Sequence, residues 1–129
     1  MALARLATSN EDGKPHVVPV WFVYDLGRFY VPSPSRSLKA RNVARGSAVS
    51  LVVDSYEGVL AARGLLVEGT AEVIRGAQSR RVNRLAHEKY AGRSRVRQKR
   101  WKEFMAEDDV TIAVTPLKTR SWDFSRLKL

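Results

Sequence analysis

The sequence predicts an all-β barrel or sandwich that carries short helices. Three observations lead there. β-branched and aromatic runs recur at short intervals. Turn residues punctuate them, and one long basic stretch shows helical spacing instead of alternation.

The elements follow in order. Ala4 to Thr8 is a short strand, and Asn10 to Gly13 is a turn built on the hairpin dipeptide Asp12-Gly13. Val17 to Tyr24 is a β-branched and aromatic run interrupted by Pro19. A proline there removes one ladder donor, so the strand has an edge, a bulge or a ligand at that point. Asp25 to Arg28 turns the chain again, and Phe29 to Pro32 is the next strand. Ser33, Pro34 and Ser35 disfavour its continuation. Ser37 to Arg45 then forms about two helical turns, with Leu38 and Val43 facing inward. Ala48 to Asp54 and Leu65 to Ile74 are further strands, and Thr111 to Thr115 and Ser121 to Phe124 close the set.

The interruption between Ile74 and Thr111 holds the charge. Net charge is +10, and Arg75 to Lys102 contains eleven basic residues and one acidic residue, Glu88. The remainder is balanced. Val82, Leu85, Ala86 and Tyr90 recur at helical spacing, as do Trp101, Phe104 and Met105. Two amphipathic helices are predicted, roughly Ala77–Tyr90 and Val96–Ala106, joined near Gly92, with arginines outward. This basic helical segment, about 75–106, has three readings. It is a solvated face, an electrostatic landing site for an anionic cofactor or substrate, or a nucleic-acid surface. No recognition motif accompanies the charge, which makes nucleic acid the unlikely partner.

Composition bounds the rest. The 129 residues suit a single domain with a buried core. No run of about 18 apolar residues is present, so no membrane span is expected, and no signal peptide opens the chain. Cysteine is absent, which fits a cytoplasmic protein and excludes disulfides. His16 and His87 lie in different segments without metal-site spacing. Asp54 and Glu57 read as a solvated pair on a turn. No nucleophile elbow or Gly-rich phosphate loop appears.

The stretch Ser33–Val53, SPSRSLKARNVARGSAVSLVV, is the most informative. A turn carrying Ser37 and Lys39 leads into a helix and then a strand. Ser37 stands where a helix cap belongs, so backbone N–H groups, a hydroxyl and a lysine converge in a receptacle for a phosphate. The plainer alternative is a capped surface helix.

Four segments in order carry a family resemblance: ARLAT…DGKPHVVPVWF, SLKARNVARGSAVSLVV, VEGTAEV and IAVTPLKTRSWDF. The chain resembles the split β-barrel flavoproteins related to pyridoxamine 5′-phosphate oxidase, especially the small flavin- or deazaflavin-dependent branch. It departs in one respect. Relatives usually carry a helix ahead of the first strand, and here Met1 runs almost directly into it. The resemblance implies a six-stranded antiparallel split β-barrel of the FMN-binding type, and a homodimer with two cofactor sites at its interface. It implies that Pro19, Val20 and Trp21 lie along the cofactor ring and offer backbone contacts. Ser37 and Lys39 would meet the cofactor phosphate, with Arg36 and Asn42 as weaker contributors. Trp122 would reach the partner's cofactor from the last strand, and Arg63 aligns with a region that touches it.

The function expected on this basis is an oxidoreductase using FMN or the deazaflavin coenzyme F420. It would act on a small unsaturated or quinone-like molecule, with redox chemistry carried by the cofactor and no catalytic side chain. The alternatives are a non-catalytic flavin- or tetrapyrrole-binding protein and a nucleic-acid-associated basic protein.

Overall fold

In the computed structural model, which describes residues 2–127, seven strands form one antiparallel sheet. They are β1 (Ala4–Ser9), β2 (Pro15–Val20), β3 (Val23–Asp25), β4 (Arg28–Ser33), β5 (Val49–Ser55), β6 (Arg63–Ile74) and β7 (Val110–Asp123). Their order in the sheet is β2-β1-β5-β6-β7-β4-β3. The two edge strands, β2 and β3, are consecutive in the chain and separated only by Trp21 and Phe22. The sheet therefore curls, and the chain itself crosses the split through these two aromatics. Counted as one bent strand, β2 and β3 make the expected six-stranded split barrel. Pro19 pairs with Arg5 on the edge strand β2, so of the three options for that proline the edge is realised.

Several strand boundaries differ from the sequence expectation. The single run Val17–Tyr24 is broken at Trp21–Phe22, where the chain leaves one edge for the other. The pair Thr111–Thr115 and Ser121–Phe124 is one 14-residue strand, β7. Pro116 does not end it, because Pro116 stands opposite Gly69, where the β6–β7 register already shifts. A Cβ on Gly69 would strike the Thr115 backbone, so glycine is required for this close approach. Ser33 likewise belongs to β4, paired with Val110, although it was expected in the turn.

The barrel interior is filled by alternate residues of adjacent strands. Leu6, Leu51 and Val67 are in register across β1, β5 and β6, and all three are fully buried. Val31, Ile112 and Val114 complete the facing wall. Each such side chain stabilises the fold by about 1.5–3 kcal/mol through burial. The opposite faces of β4 and β7 present Tyr30 and Ala113, which pack with Val82 of the helix Gly76–Ala91.

The described residues form four α-helices: α1 (Leu38–Ala44), α2 (Gly76–Ala91), α3 (Arg93–Val96) and α4 (Lys99–Met105), the last two packed against α2. The second predicted helix starts three residues later than expected, at Lys99, and the joint before it carries the further short helix α3. α2 packs on β4 and β7, and α1 packs on β1 and β6. Val43, Val82 and Ala86 face inward as expected, whereas Leu38, Leu85 and Phe104 are exposed. Asp54 pairs with Arg5 at 3.0 Å. No described helix is long and apolar enough to cross a membrane.

One polar tie fixes the β4–α1 turn to the distant start of β7. The Asp109 carboxylate accepts from the Ser35 backbone N–H at 2.7 Å and from its hydroxyl at 2.9 Å. These bonds, the backbone one foremost, hold the Asp109 pKa below its ordinary value. A depressed pKa contributes stability above the unfolded value and loses it as pH falls through the folded one. Protection of the Ser35 amide from hydrogen exchange is therefore expected to fall on acidification below the ordinary carboxylate range. Asp109→Asn should lack that pH dependence. Equal pH dependence in both proteins would remove the tie.

Candidate cofactor site

The turn that leads into α1 is fixed by serines. The Ser33 and Ser37 hydroxyls are bonded at 2.7 Å, and the Ala40 N–H donates to the Ser37 hydroxyl at 3.2 Å. Ser37 is thus the helix cap the sequence predicted, and its oxygen is already engaged by its own chain. Arg36 beside it is exposed. Asn42 is a correction. It is fully buried, and its amide donates to Thr8 Oγ1 and Asn10 Oδ1, both at 2.9 Å, while its oxygen accepts from Arg45 at 3.2 Å. That side chain ties α1 to the end of β1, with its amide donors and its oxygen engaged within the chain.

Lys39, on the first turn of α1, is half-buried and joins no ion pair among the described residues. Burial pushes its pKa down, and the Asp108 carboxylate partly offsets that. It opens into a cavity of about 280 Å³ that Pro19, Val20 and Trp21 also line, together with His87 and Asp108. Sequence-distant candidates therefore converge: the end of β2 and the start of α1 share one recess.

Arg63 and Trp122 lie elsewhere. They line a larger cavity of about 1050 Å³, with Phe22, Tyr24 and Phe29. Trp21 and Phe22 are neighbours in the chain, yet each faces a different cavity. Trp122 pairs with Gly64 across β6 and β7, and its indole lies where a Cβ on Gly64 would be. The bare glycine gives the ring a flat seat.

A buried polar network that sequence reasoning missed backs the smaller cavity. His87 is fully buried on α2. Its Nδ1 accepts from the Trp101 indole N–H at 3.1 Å, and its Nε2 is 2.9 Å from Asp108 Oδ2. An indole nitrogen only donates, so the imidazole proton sits on Nε2 and is given to Asp108. Trp21 stacks on Tyr90, with centroids 5.0 Å apart and planes 7° apart, and meets His87 edge-on at 5.3 Å. Lys89 donates to the Phe22 carbonyl at 2.9 Å, and Tyr90 donates to that of Ala2 at 2.9 Å. The C-terminal end of α2 thereby holds the Trp21–Phe22 crossing in place.

Residues 2–123 match the family model described as pyridoxamine 5'-phosphate oxidase. The chain belongs to that family. A reductase from Streptomyces rimosus, described as 5a,11a-dehydrotetracycline/5a,11a-dehydrooxytetracycline reductase, is 37% identical over 84 residues. That match covers 60% of this chain and 59% of the relative, so the chain spans well under two thirds of the relative's length. A conserved hypothetical protein from Mycobacterium tuberculosis superposes with a TM-score of 0.81 at 26% identity, over 96% of this chain and 78% of the other. An F420 reductase gives 0.72 at 24% identity, over 92% and 89%. A heme storage protein from Vibrio cholerae gives 0.71 at 18% identity, over 94% and 84%. The last two likenesses concern the fold alone.

Within this member of the pyridoxamine 5'-phosphate oxidase family, most of the arginines of α2 and α3 point outward, as the sequence predicted. Arg84 pairs with Glu88 one turn on, at 3.1 Å. No spacing rule flags His87, Trp101 and Asp108, because three separate segments bring them together. The nearest signal in the sequence is a lone histidine and a lone tryptophan on apolar helix faces.

Proposed function

We propose that this protein is an oxidoreductase of the flavin type that binds FMN or the deazaflavin F420 by its phosphate. The observation that carries the reading is the convergence of Lys39 with Pro19, Val20 and Trp21 on one cavity. The residues present fit such a group. An ammonium without an ion-pair partner among the described residues suits a phosphate, and an extended edge strand offers backbone groups to a flat heteroaromatic ring. The similarity to a reductase in Streptomyces rimosus supports the same reading.

When bound, the cofactor supplies the hydride chemistry. Lys39 anchors its phosphate, with Arg36 adding charge from the surface. The Pro19–Trp21 backbone orients the ring, and the stack of Trp21 on Tyr90 keeps that backbone fixed. The substrate is a small unsaturated or quinone-like molecule. Trp122 and Arg63 meet the cofactor of a second copy, which accounts for their place in a separate cavity. Val59, Leu60 and Phe124 are exposed on two short turns packed against each other, an apolar surface for such a twin.

Two measurements test this. Purified protein titrated with FMN and with F420 should show saturable binding of at least one, and the reduced cofactor should be reoxidised on adding an acceptor. Binding without turnover would favour the non-catalytic carrier. A heme complex in place of either would favour a tetrapyrrole binder. His87 is not available as a heme ligand, since both its ring nitrogens are engaged. Light scattering at micromolar concentration should give twice the chain mass. A clean monomer would remove the shared site.

A further inference from the structure

The smaller cavity holds a charge arrangement that a phosphate site alone does not explain. Lys39 and Asp108 both line it, yet they form no ion pair. The Asp108 carboxylate is held instead by a neutral partner. That restraint is His87. Its Nε2–H is fixed by the Trp101 bond on the other side of the ring, and it clamps Asp108 Oδ2 at 2.9 Å. Oδ1 accepts no side-chain donor among the described residues. Lys39 and Asp108 therefore line one small recess as two charged side chains that are not paired with each other.

A bare inorganic anion suits this arrangement poorly. It would gain from Lys39 and be repelled by Asp108. A phosphate carried on a hydroxylated chain suits it well, because a chain hydroxyl donates to Asp108 while the phosphate meets Lys39. We propose that Asp108, held by His87 and Trp101, is a specificity residue that accepts a hydrogen bond from a chain hydroxyl, so that the site selects polyol phosphates over simple anions. This rests on the reading of Lys39 as the phosphate anchor. His87 and Trp101 are positioning residues in it, since they act through the Asp108 carboxylate. FMN and F420 both carry hydroxyls on the chain that bears the phosphate, so Asp108 favours neither over the other.

The test is calorimetric titration of wild type, Asp108→Ala, Asp108→Asn and Lys39→Ala with FMN and riboflavin, and competition of FMN binding by inorganic phosphate. Asp108→Ala should bind FMN and riboflavin about tenfold more weakly, the loss of one charge-assisted bond. The same variant should be inhibited by inorganic phosphate more strongly than wild type. These opposite signs distinguish a hydroxyl acceptor from a generally damaged site, which would weaken every ligand. Asp108→Asn keeps shape and an acceptor oxygen without the charge. It should bind FMN better than the alanine variant and still show enhanced phosphate inhibition. Trp101→Phe, which frees the imidazole, should weaken riboflavin and FMN by equal factors. Wild-type FMN affinity in Asp108→Ala, or unchanged phosphate inhibition in both Asp108 variants, overturns the inference. If Lys39→Ala also binds FMN like wild type, the phosphate anchor itself is wrong. If Lys39→Ala weakens FMN and the Asp108 variants do not, only the role of Asp108 is lost.

Discussion

Leu51→Ala is expected to destabilise the protein by about 2–5 kcal/mol, the range for a large aliphatic truncated in a packed core. Leu51 is the middle of a row that runs from Leu6 through Leu51 to Val67 across three neighbouring strands, and each member is fully buried. Paired β-strands on both sides limit how far the backbone can close the resulting void. Urea unfolding should show a lower midpoint with an unchanged slope, because the exposed surface on unfolding is nearly the same. A loss below about 1 kcal/mol would mean that the interior collapses around the gap, and that the row is not the centre of the barrel.

Lys39→Ala should weaken binding of a phosphate-bearing flavin by about 10- to 100-fold, from a charge-assisted contact of about 1.5–3 kcal/mol. Without ligand its thermal midpoint should stay close to wild type. The lysine makes no ion pair among the described residues, and burial already disfavours its charge. Fluorescence quenching of FMN or F420 on binding reads the affinity. Equal affinities for wild type and variant, with both cofactors, would refute the anchor. A variant that loses binding and melts far below wild type would instead make Lys39 a structural residue.

The strand-and-turn plan was largely legible. Ala4–Thr8 is within one residue of β1, because alternating burial leaves its period in the sequence. Phe29–Pro32 is within one residue at each end of β4, whose continuous burial shows as a short apolar run bounded by turn residues. Ser37 was readable as a cap because short polar side chains have few other uses ahead of a helix. What the sequence hid is what depends on partners across space. The continuity of β7 through Pro116 requires knowing that Gly69 and a register shift lie opposite. The break at Trp21–Phe22 requires knowing that two sheet edges face each other there. Asn42 looked like a polar residue next to a phosphate turn, and only the fold reveals Thr8 and Asn10 as its partners. The chain Trp101–His87–Asp108 has no local signature, since its members meet only when α2, α4 and the start of β7 are packed.

β7 has a division of labour along a single element. Its first residues, Val110 to Val114, are buried, while Leu117 to Ser121 are exposed and Trp122 is half-buried. Substitutions in the first part are tested against the interior of the same molecule. Substitutions in the second part meet only what approaches from outside. The outer part can therefore vary in residue type at little cost to folding, while the barrel is inherited unchanged. Sequence drift among close relatives should accumulate at residues 117–121 before it reaches 110–114.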